Sequence, residues 1–316
     1  MAFRLGPSGP RPNTLGTVQA TGAAPGPSEV VGVVIRTLNE RELIGECLES
    51  LQRQRSHFDL DVLIVDSGST DGTLEIAGSH GARIFRLPPG DFDYSKALNV
   101  GIELVRGDLV LCLSAHAIPV DDEWVSRMTA PFDDPRVAGV AGRQVPWEGA
   151  PWREVQRLER EFGDQSVVYS SEGAEEILFS NAASCIRRTV WREHPFTLPA
   201  AEDLEWAQRV VAAGWTVVYE GGTAVRHSHD EKPREQARRL IDLSRVADTA
   251  TTPRTWRRTL REAARLLYRD ATAILRLDDR FTRKLAHLAG LARMVAHYVA
   301  DFSQAGTTAE RRREDV

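Results

Sequence analysis

Lysine is nearly missing from this chain: of 40 basic residues only Lys96, Lys232 and Lys284 are lysines, a skew that reflects coding bias more than mechanism. Cysteine is as sparse. Cys47, Cys112 and Cys185 are odd in number and more than sixty residues apart, which fits neither a disulfide framework nor a zinc knuckle, so buried thiols are expected. The longest apolar runs, Val30 to Ile35 and Leu109 to Leu113, are a handful of residues, against roughly 18 to 20 needed to cross a bilayer. No transmembrane helix is therefore expected. The start at Met1 leads into no apolar core before Leu15, so no secretory signal is expected either, and the reading is a cytoplasmic protein, at most peripheral at the inner face of the membrane. Several chemical signatures are absent too. There is no Gly-x-Gly-x-x-Gly after a strand, no P-loop GKS or GKT, no His-Glu-x-x-His and no Gly-x-Ser-x-Gly elbow, which removes dehydrogenase, P-loop NTPase, zincin and serine-hydrolase readings. A net charge of -5 argues against a nucleic-acid partner.

What is present is a globular composition, 316 residues with 42% hydrophobic and 27% charged, enough for one large α/β domain with or without an appendage. Residues 1–28 hold five prolines and five glycines and few large apolar side chains, which predicts a disordered tail. From Val30 the texture changes. VVGVVI is a β-branched run of the kind buried on both faces of a parallel sheet. A helix with Leu43, Ile44, Cys47, Leu48 and Leu51 at helical spacing follows, then DVLIVD, a turn, a helix through Leu74, ARIFRL, the helix ALNVGIELVRG and the strand DLVLCLSA. This alternation predicts a mostly parallel, Rossmann-like sheet flanked by helices. VAGVAGRQV and GWTVVYEGG read as further strands, and EDLEWAQRVVAAG as a helix ending at Gly214. Between Lys232 and Arg269 eleven basic residues face four acidic ones in a helical extension. Its last helix carries Phe281, Leu285, Leu288, Ala292, Val295, Val299 and Phe302 as a heptad stripe. The domains expected are thus 1–28, 29–231, 232–302 and a polar tail, 303–316.

Ligands of open parallel sheets bind at the carboxyl ends of the strands, so the polar residues after each apolar run matter most. These are Arg36-Thr37-Leu38-Asn39-Glu40, Asp66-Ser67-Gly68-Ser69-Thr70-Asp71, Ser114-Ala115-His116 and Arg226-His227-Ser228-His229, with Glu202-Asp203 opening a helix. A carboxylate such as Asp66 can accept from a base N–H or a ribose hydroxyl, or it can cap the next helix as an Asx turn. Thr37 and Glu40 can line a pocket or form a capping box. Asp71 suits a turn, and Asp121-Asp122-Glu123 suits the first turn of a helix better than a metal site.

The order VDSGSTDGT, ALNVG, LSAHAIP, EDLEWAQR resembles the inverting family-two glycosyltransferases, whose fold is GT-A, and is closest to their bacterial rhamnosyltransferase-like branch. The resemblance spans about residues 30–230. It implies an inverting transfer of a hexosyl or deoxyhexosyl group from a nucleotide-sugar donor to a hydroxyl, in cell-surface glycan or glycoconjugate synthesis. The acceptor could be a glycan, a lipid-linked molecule or a small metabolite. By position it implies donor contacts from Thr37, Asn39, Glu40, Asp66, Ser67, Lys96, Asn99, Ser114, Ala115 and His116. Asp203 takes the place of the base that deprotonates the acceptor, with Glu202 as its orienting neighbour. Asn181 and Trp206 are placed to shape the sugar or acceptor pocket. One departure is plain: the family's metal-holding Asp-x-Asp is here Ser114-Ala115-His116. His116 and His229, the latter preferred over His227, are then the candidate ligands for a divalent cation, Mn²⁺ or Mg²⁺, with nitrogen ligation tilting the choice to Mn²⁺ or a later metal. Without a metal, His116 or Arg226 would stabilise the leaving diphosphate. The lost carboxylates also keep open a silent GT-A-like subunit of a glycan-assembly complex. The basic helices suit either packing and homodimerisation or contact with anionic lipid.

Overall fold

In a computed structural model, the structure describes residues 18–19, 30–171, 177–229, 232–248, 256–277 and 280–314. A two-residue strand, β1 (Val18–Gln19), precedes β2 (Val30–Thr37), the apolar run that starts the regular chain. Then come α1 (Ile44–Gln52), β3 (Asp59–Asp66), α2 (Thr73–Ser79), β4 (Arg83–Arg86), α3 (Tyr94–Leu104) and β5 (Leu109–Ser114). The first half thus alternates as the periodicity predicts. The second half is less regular: β6 (Ile118–Pro119), α4 (Trp124–Thr129), β7 (Val137–Val145), α5 (Trp152–Glu161), β8 (Val167–Tyr169), β9 (Ala183–Arg187), α6 (Arg188–Glu193), α7 (Glu202–Ala212) and β10 (Thr216–Arg226). Three helices close the chain, α8 (Pro233–Asp248), α9 (Trp256–Arg276) and α10 (Phe281–Glu314).

Ten strands share one sheet in the order β1-β4-β3-β2-β5-β9-β7-β10-β6, with β8 against β10. β4, β3, β2 and β5 are parallel, as expected. β9 is inserted antiparallel between β5 and β7, and since β10 pairs parallel with β7 the sheet is mostly parallel, as expected, with one inverted strand inside it. β2 is central, and its successive side chains serve opposite faces. Val33 packs with Ile44, Leu48 and Leu74 on one side, while Val34 packs with Leu98, Ile102 and Trp206 on the other. The three cysteines are buried within these layers, as their apolar settings predict.

Gly107 sets the entry to β5. Its φ is +94°, and a Cβ there would lie 2.2 Å from the carbonyl oxygen of Val30, so both the left-handed backbone and the close approach to β2 require glycine. Gly107→Ala is expected to cost about 2 kcal/mol or more, the sum of a left-handed penalty and overpacking. An unchanged urea midpoint would refute this reading of the turn.

Three sequence expectations change here. The tail expected over 1–28 lies outside the described residues except for Val18–Gln19, which pair with β4 as an ordered edge strand. The extension consists of three helices, as a helical reading allows, and α10 runs through the expected polar tail to Glu314. The heptad stripe is met in part, since Leu288, Val295 and Val299 pack with the other two helices while the side chains of Phe281 and Phe302 lie outside the described residues. Leu285 and Ala292 are exposed, whereas Leu291, Met294, Val295 and Tyr298 are buried against Ala237 and Ile241 of α8 and Ala263 and Ile274 of α9. A helix that packs on two others buries a wider face than a coiled-coil seam. Among the described residues no helix is long and apolar enough to cross a membrane.

Candidate active site

The carboxyl ends of β2, β3, β5, β7 and β10 converge with the N-terminus of α7. The two non-glycine residues with positive φ among those described, Asn39 at 56° and Ala201 at 54°, flank this place. Such backbone is costly and persists where the surroundings impose it. Asn39 is held by two bonds to the β3 turn: its amide donates to Ser69 Oγ, and its Oδ1 accepts from the Thr70 amide. Ala201 delivers Glu202 and Asp203 into the first turn of α7, where carboxylates meet the positive end of the helix.

These two acids are embedded rather than solvated. Glu202 is 3% exposed, and its Oε1 accepts from Arg36 Nη1 and Asn181 Nδ2, both at 3.3 Å. Asp203 is partly buried and accepts from the backbone amides of Asn181 at 3.1 Å and Leu204 at 2.9 Å. Burial, then the neighbouring Asp203 charge, pushes the Glu202 carboxyl up to about 7 against the pull of Arg36. Burial likewise raises Asp203, opposed by its backbone donors. The Arg36 guanidinium also lies 4.8 Å above the Tyr94 ring, and Tyr94 and Phe92 are exposed aromatics in edge contact. Arg36 Nε and Thr37 Oγ1, both buried, have no protein partner.

A second cluster adjoins the first. His116, His227 and His229 bring ligand nitrogens within 4.8 Å of one another. The His116 and His227 rings stack at 4.9 Å, and His229 stands edge-on to both. His116 Nδ1 meets Glu40 Oε1 at 2.7 Å and His227 Nδ1 meets Gln144 Oε1 at 2.8 Å. Since both partners accept, each Nδ1 is the donor, and Nε2 is the nitrogen left to serve as a ligand. Burial and mutual repulsion hold His227 well below its ordinary value and His229 down to about 4, so both are neutral near pH 7. Imidazoles oriented by an acceptor on the far nitrogen, as those of His116 and His227 are, form the ligand-and-support pattern of a transition-metal site. The donor set therefore fits a divalent cation, with the preference for His229 over His227 corrected to a trio that includes both.

Other assignments sort by burial and partners. Asp66 is fully buried and accepts from the Gly68 and Ser69 amides, so it builds the β3 turn. Ser67 follows in that turn, its amide bonded to the Thr37 carbonyl. The capping box does not form, because α1 begins at Ile44 and Glu40 turns its carboxylate to His116. Ser114 Oγ lies 3.3 Å from His116, and Ala115 is buried with its amide on the Arg36 carbonyl. Asp71 accepts from the Thr73 amide in a turn just before α2, as expected, whereas Asp121, Asp122 and Glu123 precede α4 without a side-chain cap on it, Asp121 and Glu123 pairing with Arg127 instead. Lys96 pairs with Asp91. Asn99 is a structural residue instead of a donor contact: its amide joins α3 to the Phe196 backbone and the Trp191 indole. Trp206 is fully buried between Phe179 and Phe196 and belongs to the core, not to an acceptor pocket. Asn181 is equally buried but sits beneath Glu202 and Asp203, where it holds both. Tyr94 and Gln144 were not singled out by the sequence, and Arg36 was named only as the first member of its strand-end cluster, with no role. The rule of polar residues after an apolar run, applied to VAGVAGRQV, would have found Gln144.

Comparison with known proteins places this geometry. The model of the family "Glycosyl transferase family 2" matches residues 32–194. The O-antigen chain rhamnosyltransferase RfbN of Salmonella typhimurium is 29% identical over 67% of this chain and 70% of its own length. WbaN, the rhamnosyltransferase of Salmonella anatum, is 28% identical over 57% of this chain and 60% of its own. Among solved structures, a mannosyltransferase from Pyrobaculum calidifontis in complex with GDP-Man and Mn²⁺ superposes with a TM-score of 0.53 at 17% identity, covering 92% of this chain and 84% of that one. TarS of S. aureus in complex with UDP-GlcNAc superposes with a TM-score of 0.52 at 16% identity, over 84% and 72%. At such identity the shared feature is the fold, which is GT-A.

Proposed function

Because the chain belongs to glycosyl transferase family 2, in its rhamnosyltransferase-like branch, we propose that it moves a sugar from a nucleotide-sugar donor to an acceptor hydroxyl with inversion, in the synthesis of a surface polysaccharide or glycoconjugate. The observation that carries the reading is the buried Glu202–Asp203 pair facing Arg36 beside the histidine trio. In this reading Asp203 takes the proton from the acceptor hydroxyl. That oxygen bonds to the anomeric carbon as the bond to the donor phosphate breaks, and its electron pair leaves on the nucleoside diphosphate. Glu202 holds Arg36, and Asn181 fixes both acids. The exposed Tyr94 and Phe92 offer the apolar platform that sugars stack on. Donor contacts fall to the strand tips at Thr37, Asn39 and Ser114. His116, His227 and His229 would hold the divalent cation, which when bound neutralises charge on the leaving diphosphate. A silent subunit is disfavoured, since nothing but chemistry calls for two acids held where ionisation is costly.

The relatives' names, rhamnosyltransferases, point to a deoxyhexosyl donor. The test is incubation of the protein with dTDP-, UDP- and GDP-sugars and a panel of glycan acceptors, with the anomeric configuration of the product read by NMR. Transfer with inversion is expected. A product of retained configuration would overturn the single displacement, and the absence of nucleotide release with every donor would overturn the reading itself.

A further inference from the structure

A cavity of about 350 Å³ lies between α5, α8 and α9. Its wall carries five guanidinium groups, from Arg153, Arg157, Arg160, Arg239 and Arg269, against three carboxylates, from Glu154, Glu161 and Asp270. The acids act as bridges. Glu154 binds Arg157 at 2.8 Å and approaches Arg239 at 3.9 Å, Glu161 joins Arg157 to Arg160, and Asp270 joins Arg153 to Arg269. Clamping the C-terminal helices to α5 would need only as many cations as anions, and it would close the space between them. Here the space stays open, and among the side chains that line it guanidinium groups outnumber carboxylates by two. Like charges gathered at a partly desolvated surface repel unless an anion joins them. The cavity also has a fixed relation to the site described above, because Glu154 Oε1 accepts from the His229 amide at 3.3 Å. One wall residue thus serves both places.

We infer that this cavity binds the phosphate or diphosphate group of a second ligand, separate from the nucleotide donor. Guanidinium forks suit phosphate oxygens, and a dianion would balance the surplus of two. The space exceeds that of one phosphate, and Trp152 and Leu266 add apolar wall for whatever the group is attached to. Assigning that ligand as the acceptor rests on the glycosyltransferase reading, whereas the anion site itself does not.

The test uses inorganic pyrophosphate titrated calorimetrically into the full chain, and co-sedimentation with phosphatidylcholine vesicles with and without phosphatidic acid. The variants are Arg160→Gln and Arg269→Gln, whose side chains are 46% and 47% exposed, so that folding should be undisturbed and is checked by thermal melting. Binding of pyrophosphate, weakened about tenfold by each substitution, the loss expected for one charge-assisted hydrogen bond, and retained by Arg160→Lys, supports a soluble phosphate ligand. Binding only to phosphatidic acid vesicles, lost in the same variants, supports a lipid headgroup. UDP binding should be equal in all of them. Pyrophosphate binding that the double variant keeps, or that UDP displaces, would overturn the proposal, as would failure of both probes to bind the unaltered protein. None of these readouts requires sugar transfer.

Discussion

Asp203→Asn is expected to slow sugar transfer by roughly 10²–10⁴-fold, the usual worth of a positioned general base, while leaving affinity for the nucleotide unchanged. The amide cannot take the acceptor's proton, yet it keeps nearly the shape of the carboxylate. Stability should fall a little, since Asp203 accepts from two backbone amides, those of Asn181 and Leu204, and an asparagine presents only one oxygen. A melting temperature slightly lowered with UDP binding intact would therefore separate lost chemistry from lost fold. Activity within threefold of the unaltered protein would remove Asp203 from the mechanism. The same pair predicts the pH profile. Burial raises both carboxyls, Glu202 to about 7, so the base becomes available only as pH climbs above the ordinary carboxylate range. Glu202→Gln should leave the acid limb of kcat/KM near its place, because burial is what raises Asp203, whereas it is Glu202 that feels its neighbour's charge. The linkage to stability has the opposite sign. The folded state holds these protons more tightly than the unfolded chain, so the pair's contribution is lost as pH rises from the ordinary range towards 7, and Glu202→Gln should flatten that decline in Tm.

The amino-acid sequence carried much of this arrangement and hid a specific part of it. Strands β2, β3 and β5 were legible because buried parallel strands are continuous β-branched runs, and their tips located Thr37, Asp66 and His116 without further help. The place of β9 was not legible, because its insertion between β5 and β7 is an antiparallel pairing between segments more than thirty residues apart, and hydrophobic runs do not encode partners. The same blindness explains the misplaced residues. Trp206 and Asn99 look like ligand contacts on isolated helices, but each is consumed by the loop that precedes α7, Trp206 by His194 only 12 residues away and Asn99 by Phe196 at a separation of 97. On α10 the apolar spacing was read as a seam for one partner, whereas the helix packs on both α8 and α9. His227 was set aside for a comparable reason. Its value as a ligand depends on Gln144, 83 residues earlier, which fixes its ring through the neighbouring strand.

That dependence makes metal binding the second sharp expectation. The protein stripped by chelator should take up one equivalent of Mn²⁺, Co²⁺ or Zn²⁺ and should leave Mg²⁺ in solution, because imidazole nitrogen suits the later metals while Mg²⁺ seeks carboxylate and water oxygen. On this expectation the replacement of the family's Asp-x-Asp by Ser114-Ala115-His116 would alter which ion is held, with His116 after β5 and His227 and His229 after β10 standing in for the missing carboxylates. His227→Ala should weaken Co²⁺ binding by more than about a hundredfold, since even a lost supporting partner costs about 10- to 100-fold. Glu40→Gln and Gln144→Ala should fall in that lower range, because each only orients a ring. The visible absorption of bound Co²⁺ reads this directly, without any assay of transfer. Uptake of Mg²⁺ in preference to Mn²⁺, or Co²⁺ affinity unchanged in His227→Ala, would show that the three imidazoles are a buried stacking cluster. The cationic Arg36 and Arg226 would then be left to stabilise the departing diphosphate.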